Sequence, residues 1–215
     1  MIPWLEPQSS PYFPPTSTAL DEPRGLLAAG GSLDVEWLLV AYRQGIFPWF
    51  SENEPILWWS PAPRTVLYPQ HFHISRSLRK LARQQRYRVT VNENFEAVIH
   101  ACAGERDDHP ETWINSQMIS AYSTMHRAGF AHSLECWNRE DELVGGIYGI
   151  VLGRIFFGES MFSVEANTSK LCLKQLAESG DYSMIDCQLP TGHLNTLGAI
   201  DINRDEFEAA LNRWA

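Results

Sequence analysis

Apolar positions change their period along this 215-residue chain. In residues 1–64 they fall in short bursts between Pro, Gly and Trp, with one helix-like piece from Val35 to Tyr42, and the reading is a small irregular N-terminal domain. From Thr65 onward the pattern is regular. Ile74, Leu78 and Leu81 mark one face of a helix whose opposite face carries Arg76, Arg79, Lys80 and Arg83. Tyr87, Val89 and Val91 alternate with polar residues as in a half-buried strand. Phe95, Val98, Ile99 and Cys102 then repeat as on a helix that Asn92 or Asn94 caps. A second helix is predicted over Ser116–Arg127, ended by Gly129.

Three strand-like runs follow, Ala131–Trp137, Glu142–Leu152 and Arg154–Ser163, with turns at Asn138–Asp141 and Gly153, as in an antiparallel meander. Thr168–Glu178 reads as a helix capped by Asn167 or Thr168, and Met184–Leu189 as a strand parallel to the last of the three, since a helix joins them. An amphipathic helix from about Arg204 to Trp214 closes the chain. The order helix, helix, three antiparallel strands, helix, parallel strand is the core arrangement of the acyl-CoA N-acyltransferase class of folds. The expected fold is therefore α+β, with a GNAT-like mixed sheet and flanking helices in residues 65–215 and the small irregular domain in residues 1–64.

Within this apolar framework three polar residues stand out. Glu159 interrupts IFFGESMFS, and Asp186 with Gln188 lies on the next predicted strand. In a right-handed β-α-β crossover both carboxylates can face one cleft. Satisfied polar residues at strand ends would look the same in sequence.

Composition narrows the classes. A net charge of −9 argues against general nucleic-acid binding, but six of the seventeen Lys and Arg residues fall between 76 and 88, enough for a local phosphate-binding face or an ordinary solvated one. Four widely spaced cysteines without a CxxC pair fit a reduced, cytoplasmic chain, and the first fifteen residues lack the pattern of a signal peptide. No apolar run approaches the roughly 18 residues of a membrane helix. His71 and His73 alternate as metal ligands on a strand can, but nothing nearby completes a site, and no metal is expected.

Several stretches, taken in order, resemble the leucyl/phenylalanyl-tRNA-protein transferase family: GLLAAGGSL at 25–33, YRQGIFPWF at 42–50, WWSPAPR at 58–64, TWI at 112–114, AHSLECW at 131–137, LVGGIYG at 143–149, FFGESMFS at 156–163, IDCQ at 185–188 and HLNTLGA at 193–199. The resemblance implies transfer of leucine or phenylalanine from aminoacyl-tRNA to the N-terminal Arg or Lys of a protein, which marks that protein for degradation by the N-end rule. It further implies that Asp186 and Gln188 contact the attacking amine, with Asp186 drawing off its proton directly or through Gln188, or merely orienting it; Glu159, an acid at the same cleft, would favour a basic acceptor or order the ester. Ile147, Met161 and Leu176 would form the sleeve for the donor side chain, a role ordinary core packing also explains. Trp49 and Trp113 would stack on the terminal adenosine of the tRNA, with Arg76, Arg79, Lys80 and Arg83 on its phosphates.

Two departures from the family pattern stand out: VEANTSK at 164–170 where an NASK-like run is commoner, and an end at Ala215 that reads as short of the usual tail. An aminoacyl ester is already activated, so no cofactor is needed, and the chain is expected to act as a monomer. One rival is an acyl-CoA-dependent N-acetyltransferase, which ordinarily needs a glycine-bearing loop where Ser163–Lys170 has no glycine. The other is a non-catalytic RNA-binding domain, which would leave Glu159, Asp186 and Gln188 without a task.

Overall fold

Two mixed sheets divide the residues that the computed structural model describes, 2–104 and 114–215. The first holds β1 (Trp4–Leu5), β2 (Leu26–Gly30), β3 (Phe47–Pro48) and β4 (Leu57–Trp59), with α1 (Val35–Arg43) between its second and third strands. Its order is β1-β2-β4-β3. The expected irregular N-terminal unit is therefore a small sheet. Its strands have two to five residues, too short to show alternation in the sequence.

The second sheet has seven strands. It begins with β5 (Arg64–Leu67), followed by α2 (Arg76–Arg83), β6 (Arg88–Val91), α3 (Phe95–Ala103) and α4 (Ser116–Arg127). The meander β7 (Ala131–Trp137), β8 (Leu143–Leu152), β9 (Ile155–Ser163) comes next, then α5 (Thr168–Glu178) and β10 (Met184–Gln188). The chain finishes with α6 (Gly192–Thr196), β11 (Ile200–Ile202) and α7 (Arg204–Trp214). Strand order is β11-β5-β10-β9-β8-β7-β6, with β10 parallel to β9 as the crossover rule requires. Beyond β10 the sheet continues through β5 and β11, both antiparallel to their neighbours. The sequence reading missed this extension because the four residues of β5 are all buried and show no period.

Apolar residues on the two faces of this sheet form separate layers. One joins Phe157 and Tyr148 to α1, α3, α4 and α7; the other joins Phe156 and Ile147 to α2, α5 and α6. Local chemistry sets the helix starts. Ser75 accepts from the Leu78 amide and Asn115 from that of Met118, and Asn203 with Glu206 closes a full capping box on α7. Asn94 caps α3 through the Ala97 amide, while Asn92 takes a left-handed φ of 57° and accepts from the Ser133 amide at 3.0 Å. Leu78 anchors α2, as its pattern predicts, and its four basic residues are exposed.

Close backbone approach positions α5 against β8. A Cβ added at Gly145 would lie 2.3 Å from Thr168 Oγ1, whose hydroxyl donates to the Val144 carbonyl at 2.8 Å. Gly145→Ala must push α5 outward, and a loss of about 1–3 kcal/mol is expected from urea unfolding. A variant as stable as wild type would show that α5 is free to shift.

Candidate active site

Adjacent strands β9 and β10 each carry an extra residue at neighbouring places. On β9 the pairing moves from Gly149↔Gly158 to Tyr148↔Ser160, leaving Glu159 as the unpaired residue of a bulge. On β10 the pairing with β5 moves from Asp186↔Val66 to Gln188↔Thr65 across Cys187, and Gln188 adopts a φ of 63°. A bulge re-aims a side chain that a regular strand would send elsewhere. Here the two bulges bring Gln188 Nε2 to 3.2 Å from Glu159 Oε1, while the Gln188 amide donates to Asp186 Oδ1 at 2.9 Å. The three residues singled out from the sequence thus form one connected group.

Asp186 is fully buried and is held by a residue the sequence reading left unassigned. Arg64 Nε donates to its Oδ1 at 2.8 Å and Nη2 to its Oδ2 at 2.6 Å, a two-pronged pair. The guanidinium sits 4.8 Å from the ring centre of Phe47 and 4.7 Å from that of Phe207. Arg64 therefore ties β10 to the N-terminal sheet and to α7 together.

Glu159, 8% exposed, is enclosed by phenols. Tyr42 of α1 donates to its Oε1 at 2.7 Å and Tyr122 of α4 to its Oε2 at 2.9 Å, and the two hydroxyl oxygens lie 2.5 Å apart. Burial pushes the Glu159 carboxyl up to about 7, against the opposing effect of these hydrogen bonds. Burial, and then the charge of Glu159, holds both phenols well above their ordinary value. A carboxyl raised toward neutrality in this way is suited to general acid–base work.

The other candidate residues are placed as follows. Ile147 and Met161 pair across β8 and β9, and Leu176 of α5 joins them in the second apolar layer. Trp49 is 40% exposed and packs against Trp59 at 5.3 Å between ring centres. Trp113 lies outside the described residues. On α2 the exposed basic face is that of Arg76, Arg79, Lys80 and Arg83; Arg88 beyond it is paired with Glu93 and Asp141. At the start of α5, Ser163 Oγ accepts from the Ser169 amide at 3.0 Å, and Asn167 has a φ of 69°. A separate cleft of 690 Å³ between the β2–α1 turn and α4 includes neither Glu159 nor Gln188.

Comparison with known sequences matches residues 66–212 to the family described as leucyl/phenylalanyl-tRNA protein transferase and residues 31–62 to its N-terminal domain. The chain belongs to the leucyl/phenylalanyl-tRNA protein transferase family. The leucyl/phenylalanyl-tRNA–protein transferase of Pseudomonas fluorescens (strain Pf0-1) is 54% identical over 99% of this chain and 95% of its own length. That of Azoarcus sp. (strain BH72) is 54% identical over 100% and 91%. A solved structure described as L-PGS from Bacillus licheniformis aligns at a TM-score of 0.40 and 12% identity, over 74% of this chain and 52% of that one.

Within the family frame, the sequence reading found the acids and missed what holds them. Arg64 ends WWSPAPR and Tyr42 opens YRQGIFPWF, so both lay inside recognised motifs without a role. Tyr122 carried no signal, being one aromatic on an amphipathic helix.

The raised Glu159 value has a measurable consequence. Between the ordinary 4.5 and about 7 the folded chain keeps this proton and the unfolded chain loses it. Its contribution to stability is therefore complete below 4.5 and is lost as pH rises through about 7. Relative to Glu159→Gln, wild type should lose roughly 3 kcal/mol of stability across that window, read from urea midpoints at each pH. A wild-type-minus-variant difference that is flat in pH contradicts the assignment.

Proposed function

We propose that this chain moves leucine or phenylalanine, with methionine as a further candidate donor, from aminoacyl-tRNA to the N-terminal Arg or Lys of proteins, creating a destabilising N-terminus. The observation that carries the reading is the connected set Asp186–Gln188–Glu159 on paired bulges, in a chain of this family. The acceptor α-amine, of ordinary pKa about 7.7 to 8.0, is partly unprotonated at neutral pH. Its nitrogen attacks the ester carbonyl carbon, and the bond from that carbon to the ribose oxygen breaks. The amine loses one proton and the ribose oxygen gains one.

Gln188 gives its amide nitrogen to Glu159 and so turns its carbonyl oxygen away, as an acceptor for an amine N–H. Glu159, with a carboxyl matched to the amine, receives the proton and can return it to the ribose oxygen. Of the two roles open to Asp186, base or orienting group, complete burial and its two-pronged pairing favour the second. Much of the rate is then positional, since holding amine and ester in line is worth several powers of ten.

The donor side chain enters the sleeve of Ile147, Met161 and Leu176, where an adaptable Met suits both Leu and Phe. Exposed Trp49, with Trp113, stacks on the terminal adenosine, at about 1–3 kcal/mol per stack. The basic face of α2 holds backbone phosphates without reading sequence. We take residues 1–64 as the small N-terminal domain and 65–215 as the GNAT-like catalytic domain, supported by the meander, crossover helix and parallel strand in sequence. The chain acts as a cytoplasmic monomer, and among the described residues no helix is long and apolar enough to cross a membrane. Against an acyl-CoA donor stands the start of α5, where the Ser163 hydroxyl already occupies an amide that pyrophosphate would need.

Two experiments test the reading. Mixed with radiolabelled leucyl-tRNA and a protein beginning with Arg, the chain should move label into protein, and Asp186→Asn should lower single-turnover transfer at least 10-fold; a chain that only protects the tRNA is a binder. Arg79→Glu with Arg83→Glu should weaken leucyl-tRNA binding about 10-fold at low salt and flatten its salt dependence, as loss of phosphate contacts requires. Unchanged affinity would place the acceptor stem elsewhere.

A further inference from the structure

The residue that orders this site lies one strand away from it. Arg64 leads into β5, touches neither Glu159 nor Gln188 in the bonds described, and is 1% exposed, so it meets no substrate directly. Its Nε and Nη2 are used on Asp186, and among the described residues its buried Nη1 has no hydrogen-bond partner. The same fork gives a geometric return that a single charge could not: two parallel bonds fix both the place and the plane of the Asp186 carboxylate.

That plane matters because Asp186 Oδ1 is shared. It accepts from Arg64 Nε at 2.8 Å and from the Gln188 amide at 2.9 Å. Gln188 stands at φ 63°, in the left-handed region that a non-glycine residue keeps only where its surroundings hold it. Asp186 is one such restraint, and Arg64 fixes Asp186. We propose that Arg64 is a positioning residue for the transfer reaction, which sets the Gln188 bulge through Asp186 and so aims the Gln188 side chain at Glu159 and the acceptor amine. This rests on the transferase reading above.

The test uses the full chain in the label-transfer assay. Arg64→Lys keeps the charge and loses the fork. It should fold, with kcat per folded molecule lowered 10- to 100-fold and KM for leucyl-tRNA and for the acceptor within two-fold of wild type, as a misplacement of about 1 Å would produce. Placed in a Gln188→Ala background, the same change should lower kcat by less than two-fold, because its target is gone. A merely structural role predicts loss of folded protein with normal kcat, or equal losses in both backgrounds, and either result overturns the proposal. If Arg64→Lys does not fold, Arg64→Gln, which can still donate one bond to Asp186 but has no fork, enters the same cycle with the same expectations. Wild-type chain that moves no label refutes the transferase reading; wild-type transfer with Arg64→Lys at full kcat refutes only the positioning role.

Discussion

A buried pair of opposite charges, Arg64 and Asp186, sits where the two sheets, α7 and the candidate site meet. Such pairs are poor sources of stability, because removing both ions from water offsets most of their attraction. They are strict, however, about geometry. With one partner displaced, the other is a lone buried charge, so the alternative packings of β5 against β10 are penalised by several kcal/mol. The aromatic rings of Phe47 and Phe207 on the guanidinium recover part of what water would have supplied.

The candidate site is built on an irregularity next to this pair. Regular strands alternate their side chains and would separate polar groups between the two faces. Single-residue bulges on β9 and β10 break that alternation side by side, which lets Glu159 and Gln188 touch while Phe157 and Ile185 remain in opposite apolar layers. Glu159 is then reached from three elements distant in sequence, through Tyr42, Tyr122 and Gln188. A carboxylate in an apolar strand is tolerated because each of its oxygens has a donor.

Much of this was legible beforehand. Long periodic segments gave β7, β8, β9, α5 and α7 nearly to the residue, because burial on one face writes its period into the sequence. Asp186, Gln188 and Glu159 were visible as polar residues on apolar strands. The N-terminal sheet, β5 and β11 were not, since strands of two to five residues contain at most two alternations. Partners were hidden for a different reason. Arg64 and Asp186 are 122 positions apart, and Tyr42 and Glu159 are 117, and no local pattern encodes a pairing across such a span. The bulges also left no mark, as the apolar run on β9 reads the same with or without an extra residue.

The exposed basic stripe of α2 belongs to a chain of net charge −9. On a chain of that sign, a basic face is where charge favours a polyanion, and the effect reaches beyond contact. Under the proposed function such a face would sort encounters by orientation, and the acidity of the chain, which at first argues against nucleic acid, would be the background that makes one small helix selective.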